Sequence, residues 1–339
     1  MPSRPHRSAV HARPRGASLW TRAALVAGMV ALGAVGGAAG AVAQTYGIAT
    51  MQPGTLNHTT GSAIAKVLKE KAGLNVLVQP TAGETTLIPM VGRAEAELGI
   101  ANVAEMDNVA RGTSAAGAQP DLRLIGAIHP LRVGWYVRKD SGLKTIADLK
   151  GKRVPLGYSA MRTQDTTTNA ALATAGLTAA DVQSVPVPNV MRGADAFSGD
   201  NADTFTFAFG GGKLREVDAT VGGVRVLEIP EAGMAAARKL FPFAYLTEVD
   251  PGPAYPGVLS RMKVFAYDNI LFTNAKASDE LVYKIVATME ANKAELVAVQ
   301  PALRDFSAEG LYKQYDVVPY HPGALKYFKE KGFSPKAIQ

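Results

Sequence analysis

Short apolar runs alternate, from residue 45 onward, with segments whose apolar residues recur every three or four positions. Residues Thr60–Leu68 place their apolar side chains on one helical face, and Gly73 stands where a helix would end. Leu87–Val91 predicts a shorter helix before Gly92. Strands are predicted around these two helices at Tyr46–Thr50, Asn75–Gln79 and Glu97–Ala101. This β-α-β-α-β order favours a parallel sheet with right-handed crossovers.

A second series of the same kind follows an extended stretch, Leu122–Ile128 and Val133–Val137, which flanks His129-Pro130. Its predicted strands are Arg153–Gly157, Val182–Val187, Thr204–Phe209, Val224–Ile229 and Lys263–Phe272, and its predicted helices are Gln164–Ala175, Val190–Phe197 and Lys213–Ala219. Leu281–Leu296 repeats apolar residues at helical spacing. The pattern therefore predicts two α/β lobes, each a mostly parallel sheet flanked by helices, with the C-terminal helices returning to the first lobe.

Residues 1–43 have a different pattern from the rest of the chain. Five arginines and no acidic residue are followed by an uncharged stretch, Ala23–Ala43, which closes on the small residues Ala41-Val42-Ala43. This order is typical of a secretory signal peptide, and it predicts cleavage near Gln44 and a periplasmic mature protein. The alternative is a retained membrane anchor, but the alanine and glycine content makes insertion into lipid weakly favourable.

The leader also accounts for most of the net charge. The chain has 36 basic and 29 acidic residues, and without the five leader arginines the balance is 31 to 29, or +2. Nucleic acid is therefore not implied as a partner. The chain has no cysteine, which excludes disulfides, thiolate nucleophiles and cysteine-bound zinc.

Enzymatic motifs are scarce. Gly157-Tyr158-Ser159-Ala160-Met161 approaches a nucleophile elbow but has methionine in place of the last glycine. Gly210-Gly211-Gly212-Lys213 lacks the first glycine and the hydroxyl residue of a phosphate loop. His58, His129 and His321 do not have metal-ligand spacing. We therefore expect no catalytic residue, no metal and no cofactor.

Loops of small, hydroxyl-bearing or amide-bearing residues recur where a predicted strand leads into a helix. In open parallel sheets such loops gather at the carboxyl ends of the strands, where ligands bind. Helix starts there favour an anion, although the same residue types also serve as ordinary helix caps. Arg162 could hold a carboxylate with its fork of donors, or it could be a surface charge. The predicted ligand-binding residues are Gln52, Gly54, Thr55, Thr81, Gly83, Glu84, Thr85, Thr86, Asn102, Glu105, Ser159, Arg162, Thr163, Phe209, Gly210, Gly211 and Tyr255.

The order of several segments over residues 45–335 resembles the TAXI-type solute receptors of TRAP (tripartite ATP-independent periplasmic) transporters. The segments that carry the resemblance are Gly61–Gly73, Ile146–Val154, Thr204–Gly212, Tyr255-Pro256-Gly257 and Pro319–Ala324. The chain departs from that family at Met51-Gln52-Pro53 in the first loop and at Met161-Arg162 in the second-lobe loop. The resemblance implies a two-lobe periplasmic binding protein (type II-like) with its ligand cleft between the lobes.

The resemblance also implies a function. A monomeric receptor would close around a small organic anion, a carboxylate or an acidic amino acid, and deliver it to TRAP membrane permease subunits driven by an ion gradient. Lobe I is expected at 44–134 and 266–339 and lobe II at 135–265, with hinges near Leu131–Tyr136 and Val264–Asn269. Two alternatives remain open: an exported serine hydrolase using Ser159, and a ligand-binding partner of a membrane sensor.

Overall fold

The computed structural model describes residues 44–338. The predicted signal peptide and its cleavage site at residues 1–43 lie outside the described part of the chain. Among residues 44–338, no helix is long and apolar enough to cross a bilayer.

The described residues form a mixed α/β fold. The strands are β1 (Thr45–Thr50), β2 (Asn75–Pro80), β3 (Leu98–Asn102), β4 (Leu122–Arg138), β5 (Arg153–Leu156), β6 (Gln183–Pro186), β7 (Phe205–Ala208), β8 (Val224–Val226), β9 (Tyr245–Val249) and β10 (Met262–Asn274). The α-helices are α1 (Leu56–Ala72), α2 (Glu84–Gly92), α3 (Val103–Ala110), α4 (Thr163–Thr174), α5 (Val190–Ser198), α6 (Gly212–Thr220), α7 (Met234–Leu240), α8 (Asp279–Ala291), α9 (Lys293–Val299), α10 (Ala308–Leu311) and α11 (Pro322–Glu330). Short 3-10 helices lie at Ile146–Leu149, Ala179–Asp181, Glu231–Gly233 and Pro301–Asp305.

The first three strands form the parallel arrangement that the sequence predicts. β1 lies between β2 and β3 and pairs with both in parallel. Helix α1 crosses from β1 to β2, begins at the cap Thr55 and ends at Gly73, whose φ of 67° suits glycine. Parallel strands joined by helices bring their carboxyl ends to one edge, so the loops after β1, β2 and β3 lie together.

Two long antiparallel strands, β4 and β10, run through the centre of the fold. They pair along Leu122–Val133 and Phe265–Asn274. At one end of this ribbon β10 also pairs with β3. At the other end β4 pairs with β7 and β8, and β10 pairs with β9. The ribbon thus joins the N-terminal strands to the strands of the middle of the chain in one open sheet of eight strands.

The α/β fold class is confirmed, and the strand directions add detail to it. β5 and β6 form a separate parallel pair, as expected for the second series. β7, β8 and β9, however, meet the central ribbon antiparallel. Their neighbours are the two crossing strands rather than successive members of a βαβ series, so the mostly parallel character holds for β1–β3 and for β5–β6.

Three local features differ from the sequence-based expectation. β4 continues through His129-Pro130, where Pro130 pairs in register with Asp268, and the nearest register shift of the ladder with β10 lies between Asn269 and Ile270. The predicted helix Leu281–Leu296 is two helices, divided at Asn292. β9 was not predicted from the sequence; it has only five residues, and only the first and the last of them are buried.

The core consists of two clusters of buried side chains. One packs α1 and the C-terminal helices against β1–β3, with Ile48, Val67 and Phe328 almost fully buried. The other includes Trp135, Phe205 and Phe265 around the middle of the chain. Burial of such large apolar side chains supplies the main stabilisation of a chain that has no disulfide.

Candidate functional site

A small cavity of about 50 Å³ lies where the starts of five helices meet. Its wall includes the first residues of α1, the first residue of α2, the cap of α3, the second residue of α4 and the first residue of α5. The residues that line it are Met51, Thr55, Leu56, Asn57, Glu84, Asn102, Leu131, Val133, Met161, Gln164, Thr167, Val190, Thr206, Phe207, Ala208, Tyr267 and Asn269. Each helix start carries a partial positive charge, so the backbone around the cavity favours an anion.

Asparagine side chains hold two of these helix starts in place. Asn57 accepts the Met51 N–H at 2.9 Å and donates to the Ile100 carbonyl at 2.8 Å. Asn102 caps α3 by accepting the Glu105 N–H at 2.9 Å. Both amides therefore have defined orientations, with the oxygen and the nitrogen each fixed by a backbone or side-chain partner.

A buried carboxyl group, that of Glu84, is part of the cavity wall. Glu84 is 2% exposed, and its Oε1 accepts a hydrogen bond from Asn102 Nδ2 at 2.7 Å. Burial first, and then the nearby Glu105 carboxylate, raise the pKa of Glu84 to about 8, against the opposing effect of the Asn102 hydrogen bond. Glu84 is therefore mostly protonated and uncharged at neutral pH.

Glu105 lies just behind Glu84 and differs from it in its partners. Its carboxylate accepts hydrogen bonds from the hydroxyls of Ser114 and Thr163, and Asn108 Nδ2 lies 3.4 Å from it. Thr163 is the first residue of α4, so this carboxylate ties the start of that helix to α3. Glu105 supplies a fixed negative charge beside the cavity without lining it.

The opposite wall is formed by the two crossing strands. Asn269 of β10 lines the cavity, and its Nδ2 lies 3.5 Å from His129 Nε2. His129 Nδ1 is 2.9 Å from the Pro130 carbonyl, so Nδ1 carries the hydrogen and Nε2 acts as an acceptor. Burial lowers the pKa of His129, which keeps this ring uncharged.

Loops that follow the N-terminal strands contact loops from the middle of the chain directly. Thr85 Oγ1 donates to the Ala160 carbonyl at 3.2 Å. Asn189, the cap of α5, donates to the Ala82 carbonyl at 3.1 Å. The Lys213 N–H donates to the Gly54 carbonyl at 3.1 Å. These contacts close the cavity from the side of the helix starts.

A second cavity, of about 270 Å³, lies next to the first and shares Leu56 with it. Arg132 and Arg215 line it, together with Gln300 and the loop before α6. Arg132 Nη1 pairs with Asp305 at 2.7 Å, whereas its buried Nε has no hydrogen-bond partner among the described residues. This cavity therefore has cationic side chains, which the smaller one lacks.

The predicted site residues fall into several groups in the structure. Thr55, Glu84 and Asn102 line the smaller cavity, and Phe209, Gly210 and Tyr255 line the larger one. Residues that support the walls or the contacts between loops are Gln52, Gly54, Thr81, Gly83, Thr85, Glu105, Thr163 and Gly211. Thr86, Ser159 and Arg162 are exposed and line neither cavity. The structure thus places Arg162 on the surface, outside both cavities.

Several lining residues were not predicted from the sequence. Leu131, Thr206, Tyr267 and Asn269 come from the interiors of strands, where no loop signal exists. Asp268-Asn269 does interrupt the apolar run of β10 with two polar residues that are both buried. Polar residues inside a buried strand can indicate a binding site in the sequence, because a polar side chain that is buried without a hydrogen-bond partner lowers stability.

The structure offers no support for a hydrolase at Ser159. This serine is exposed, and none of the hydrogen bonds of the described histidines involves it. Among residues 44–338, no group of three His, Asp or Glu side chains could hold a metal ion.

Comparison with known proteins gives a family and a fold. The model of the NMT1-like family matches residues 48–332. A solved structure described as a periplasmic transporter aligns with a TM-score of 0.55 and 13% identity over 84% of this chain and 92% of that one. The periplasmic binding protein BugD aligns with a TM-score of 0.53 and 11% identity, over 86% and 99%. The structure of a protein from Bordetella bronchiseptica RB50 aligns with a TM-score of 0.52 and 13% identity, over 85% of this chain and 98% of that one.

At these identities the likeness establishes the fold, which is that of periplasmic binding proteins. What the chain shares with the periplasmic transporter and with BugD is this fold.

Proposed function

We propose, because the chain belongs to the NMT1-like family and has the fold of periplasmic binding proteins, that it is the exported solute receptor of a membrane transporter. The observation that supports this proposal most is the enclosed cavity at which helix starts from both halves of the chain converge. A receptor of this kind binds its solute without turnover and presents its closed form to a permease.

The proposal includes two lobes that move about the crossing strands. Lobe I would comprise residues 44–134 and 266–339 and lobe II residues 135–265, with hinges near Leu131–Tyr136 and Val264–Asn269. The ribbon of β4 and β10 runs through both hinge segments and carries different partner strands at its two ends. The direct contacts between loops, such as Thr85 with Ala160, would then belong to the closed state.

The solute would be a small organic anion, a carboxylate or an acidic amino acid. The five helix starts favour negative charge, and the cavity volume suits a compact molecule. The sequence resemblance further supports a receptor of the TAXI type that acts as a monomer in the periplasm. Such a receptor would deliver the solute to TRAP permease subunits.

A thermal-shift screen tests the binding proposal. Propionate, glutarate, L-glutamate and methanesulfonate would be added to the mature chain from Gln44, and a carboxylate that binds only the folded state raises the melting temperature. Propionamide, an uncharged analogue of propionate, is the matched control. A screen in which no anion stabilises the protein, while uncharged analogues do, would contradict capture of an anion.

Substitutions can show which of the two cavities binds the solute. If the solute occupies the smaller cavity, Asn269→Leu should weaken binding, and Arg132→Gln should leave it within about threefold. The reverse result would place the anion beside Arg132 in the larger cavity.

Uptake distinguishes transport from sensing. Proteoliposomes that contain a TRAP permease served by this receptor should accumulate the bound solute only when the receptor and an ion gradient are both present. Binding without any receptor-dependent uptake would favour the alternative of a partner for a membrane sensor.

A further inference from the structure

The smaller cavity has a feature that an anion site would not be expected to have. Its only carboxyl group is Glu84, and none of its seventeen lining residues, all within the described part of the chain, is lysine, arginine or histidine. An ionised Glu84 would repel an anion at hydrogen-bond distance, and no nearby cationic side chain would offset that repulsion. The chemistry of Glu84 therefore determines what the cavity can hold.

The charged and titratable groups that face Glu84 come from two elements. Glu105 on α3 contributes a negative charge that is held by hydroxyl donors. Tyr267 on β10 is the other titratable residue of the cavity wall, and burial and the Glu84 carboxyl raise its pKa. The loop before α4 contributes Met161 to the cavity wall, and α4 contributes Gln164 and Thr167; these three residues carry no charge. Burial and the Glu105 carboxylate therefore disfavour a negative charge on Glu84, and the Asn102 hydrogen bond offsets them only in part.

The hydrogen bonds also determine which oxygen of Glu84 carries the proton. Asn102 Oδ1 accepts the Glu105 N–H, so Asn102 presents its Nδ2–H group to Glu84. Glu84 Oε1 is therefore an acceptor, and the proton of the neutral carboxyl group belongs on Oε2. Glu84 can therefore donate a hydrogen bond through Oε2, while its Oε1 already accepts one from Asn102.

We propose that Glu84 recognises the carboxylate of the solute by donating the Oε2 hydrogen to it, while the surrounding helix starts compensate the negative charge. This assignment rests on the proposed function, because it specifies how the same cavity holds an anion. The shared proton replaces the arginine fork that the sequence predicted at Arg162. Hydrogen bonds between a hydroxyl group and a carboxylate are short and strong, and a buried cavity strengthens them further.

The assignment predicts a definite dependence of affinity on pH. Below about pH 8 Glu84 holds its proton in the free protein, so binding of a carboxylate needs no proton uptake. Above that pH the free carboxyl group ionises, and each bound carboxylate must bring a proton with it. The association constant should then fall about tenfold for each further pH unit.

Calorimetry with glutarate and propionate between pH 6 and pH 9.5 tests this assignment in the wild type and in Glu84→Gln. The wild-type affinity should be constant to about pH 7.5 and fall about tenfold between pH 8.5 and pH 9.5. Glu84→Gln offers an amide N–H in place of the carboxyl hydrogen, so it should bind within about tenfold of the wild type and lose the pH dependence. Glu95→Gln, which alters an exposed glutamate elsewhere, should keep the wild-type profile.

Three results would overturn the assignment: a wild-type affinity that is independent of pH, a fall that persists in Glu84→Gln, or an affinity that rises with pH. The last would mean that these carboxylates bind better after Glu84 has lost its proton, so that this proton is not the donor. These results are distinct from failure of the proposed function. If neither carboxylate binds either protein at any pH while guanidinium or acetamide does, capture of an anion and the role of Glu84 both fall.

Discussion

Two buried carboxyl groups, those of Glu84 and Asp268, have opposite surroundings. Glu84 has an amide partner and a second carboxylate nearby, whereas Asp268 accepts Lys313 Nζ at 2.5 Å and the hydroxyls of Tyr245 and Tyr315. The first is stable as a neutral acid, and the second is part of an ion pair. Replacement of the carboxyl group by an amide should therefore have different effects at the two positions.

Glu84→Gln should be more stable than the wild type, and the difference in the free energy of unfolding should grow as the pH increases. The pKa of Glu84 is raised to about 8 in the folded chain, so the folded state holds more protons than the unfolded state between about pH 4.5 and pH 8. Wild-type stability contributed by this group must therefore fall across that range, by at most about 5 kcal/mol. Urea unfolding should show the variant similar to the wild type near pH 4.5 and increasingly more stable towards pH 8; a constant difference across that range would contradict the prediction.

Asp268→Asn should destabilise the fold strongly. Lys313 is 14% exposed and Asp268 is 6% exposed, so the substitution leaves an ammonium group largely buried without its counter-charge. Removing one partner of such a pair costs about 3–5 kcal/mol. Urea unfolding measures the loss, and the double variant Asp268→Asn/Lys313→Met should recover part of it. Glu95→Gln, which breaks the exposed pair with Arg93, is the surface control and should have no measurable effect.

At the scale of the elements, the close packing of α1 on β1 depends on a helical glycine. A Cβ atom at Gly61 would lie 2.4 Å from Thr50 Cγ2, so α1 can approach the strand only with glycine at this position. Gly193, within α5, is different because its added Cβ would make ordinary contacts, the nearest at 3.5 Å to Pro155.

Alanine at these two positions should therefore have opposite effects. Gly61→Ala should lower the free energy of unfolding by about 1–3 kcal/mol, because overpacking outweighs the gain in helix propensity. Gly193→Ala should raise it by up to about 1 kcal/mol. Thermal and urea unfolding of both variants provide the comparison, and a stabilised Gly61→Ala would show that α1 can shift at little cost.

At the scale of the whole molecule, Gly83 determines how closely the loops approach each other. Its backbone is extended, with φ of 165°, so alanine is compatible with the local conformation. A Cβ there would nevertheless lie 2.2 Å from the Ala160 carbonyl oxygen, across the contact that closes the cavity. The substitution should therefore affect the closed state while leaving each part of the fold intact.

Gly83→Ala should shift the population towards an open form. A steric cost of about 1–3 kcal/mol on closure corresponds to a loss of solute affinity of about 5-fold to 150-fold. Solution scattering should show a larger radius of gyration than the wild type, and calorimetry with glutarate should show the weaker binding. Gly252→Ala, where an added Cβ meets no atom within 4 Å, is the matched control. An unchanged radius and affinity in Gly83→Ala would mean that the contact with Ala160 does not limit closure.

The amino-acid sequence by itself determined much of the local structure and indicated several residues that line the smaller cavity. Apolar periodicity predicted β1–β3 to within one residue at each end and the end of α1 at Gly73, although α1 begins four residues before Thr60. A helix or a strand buries one face, and its sequence records that period. The small polar loops after parallel strands likewise indicated Thr55, Glu84 and Asn102, since strand ends share one edge of a sheet.

Only the tertiary structure decided what that site can hold. Tyr267 and Asn269 reach the cavity from a strand more than 150 residues from Thr55, and no local pattern encodes that meeting. The charge of Glu84 depends on burial and on Glu105, whereas Arg162 lies at the surface although its sequence position is equally suggestive. Periodicity is a property of neighbours in sequence, but desolvation and the interaction between charges depend on neighbours in space, and these exist only once the chain has folded.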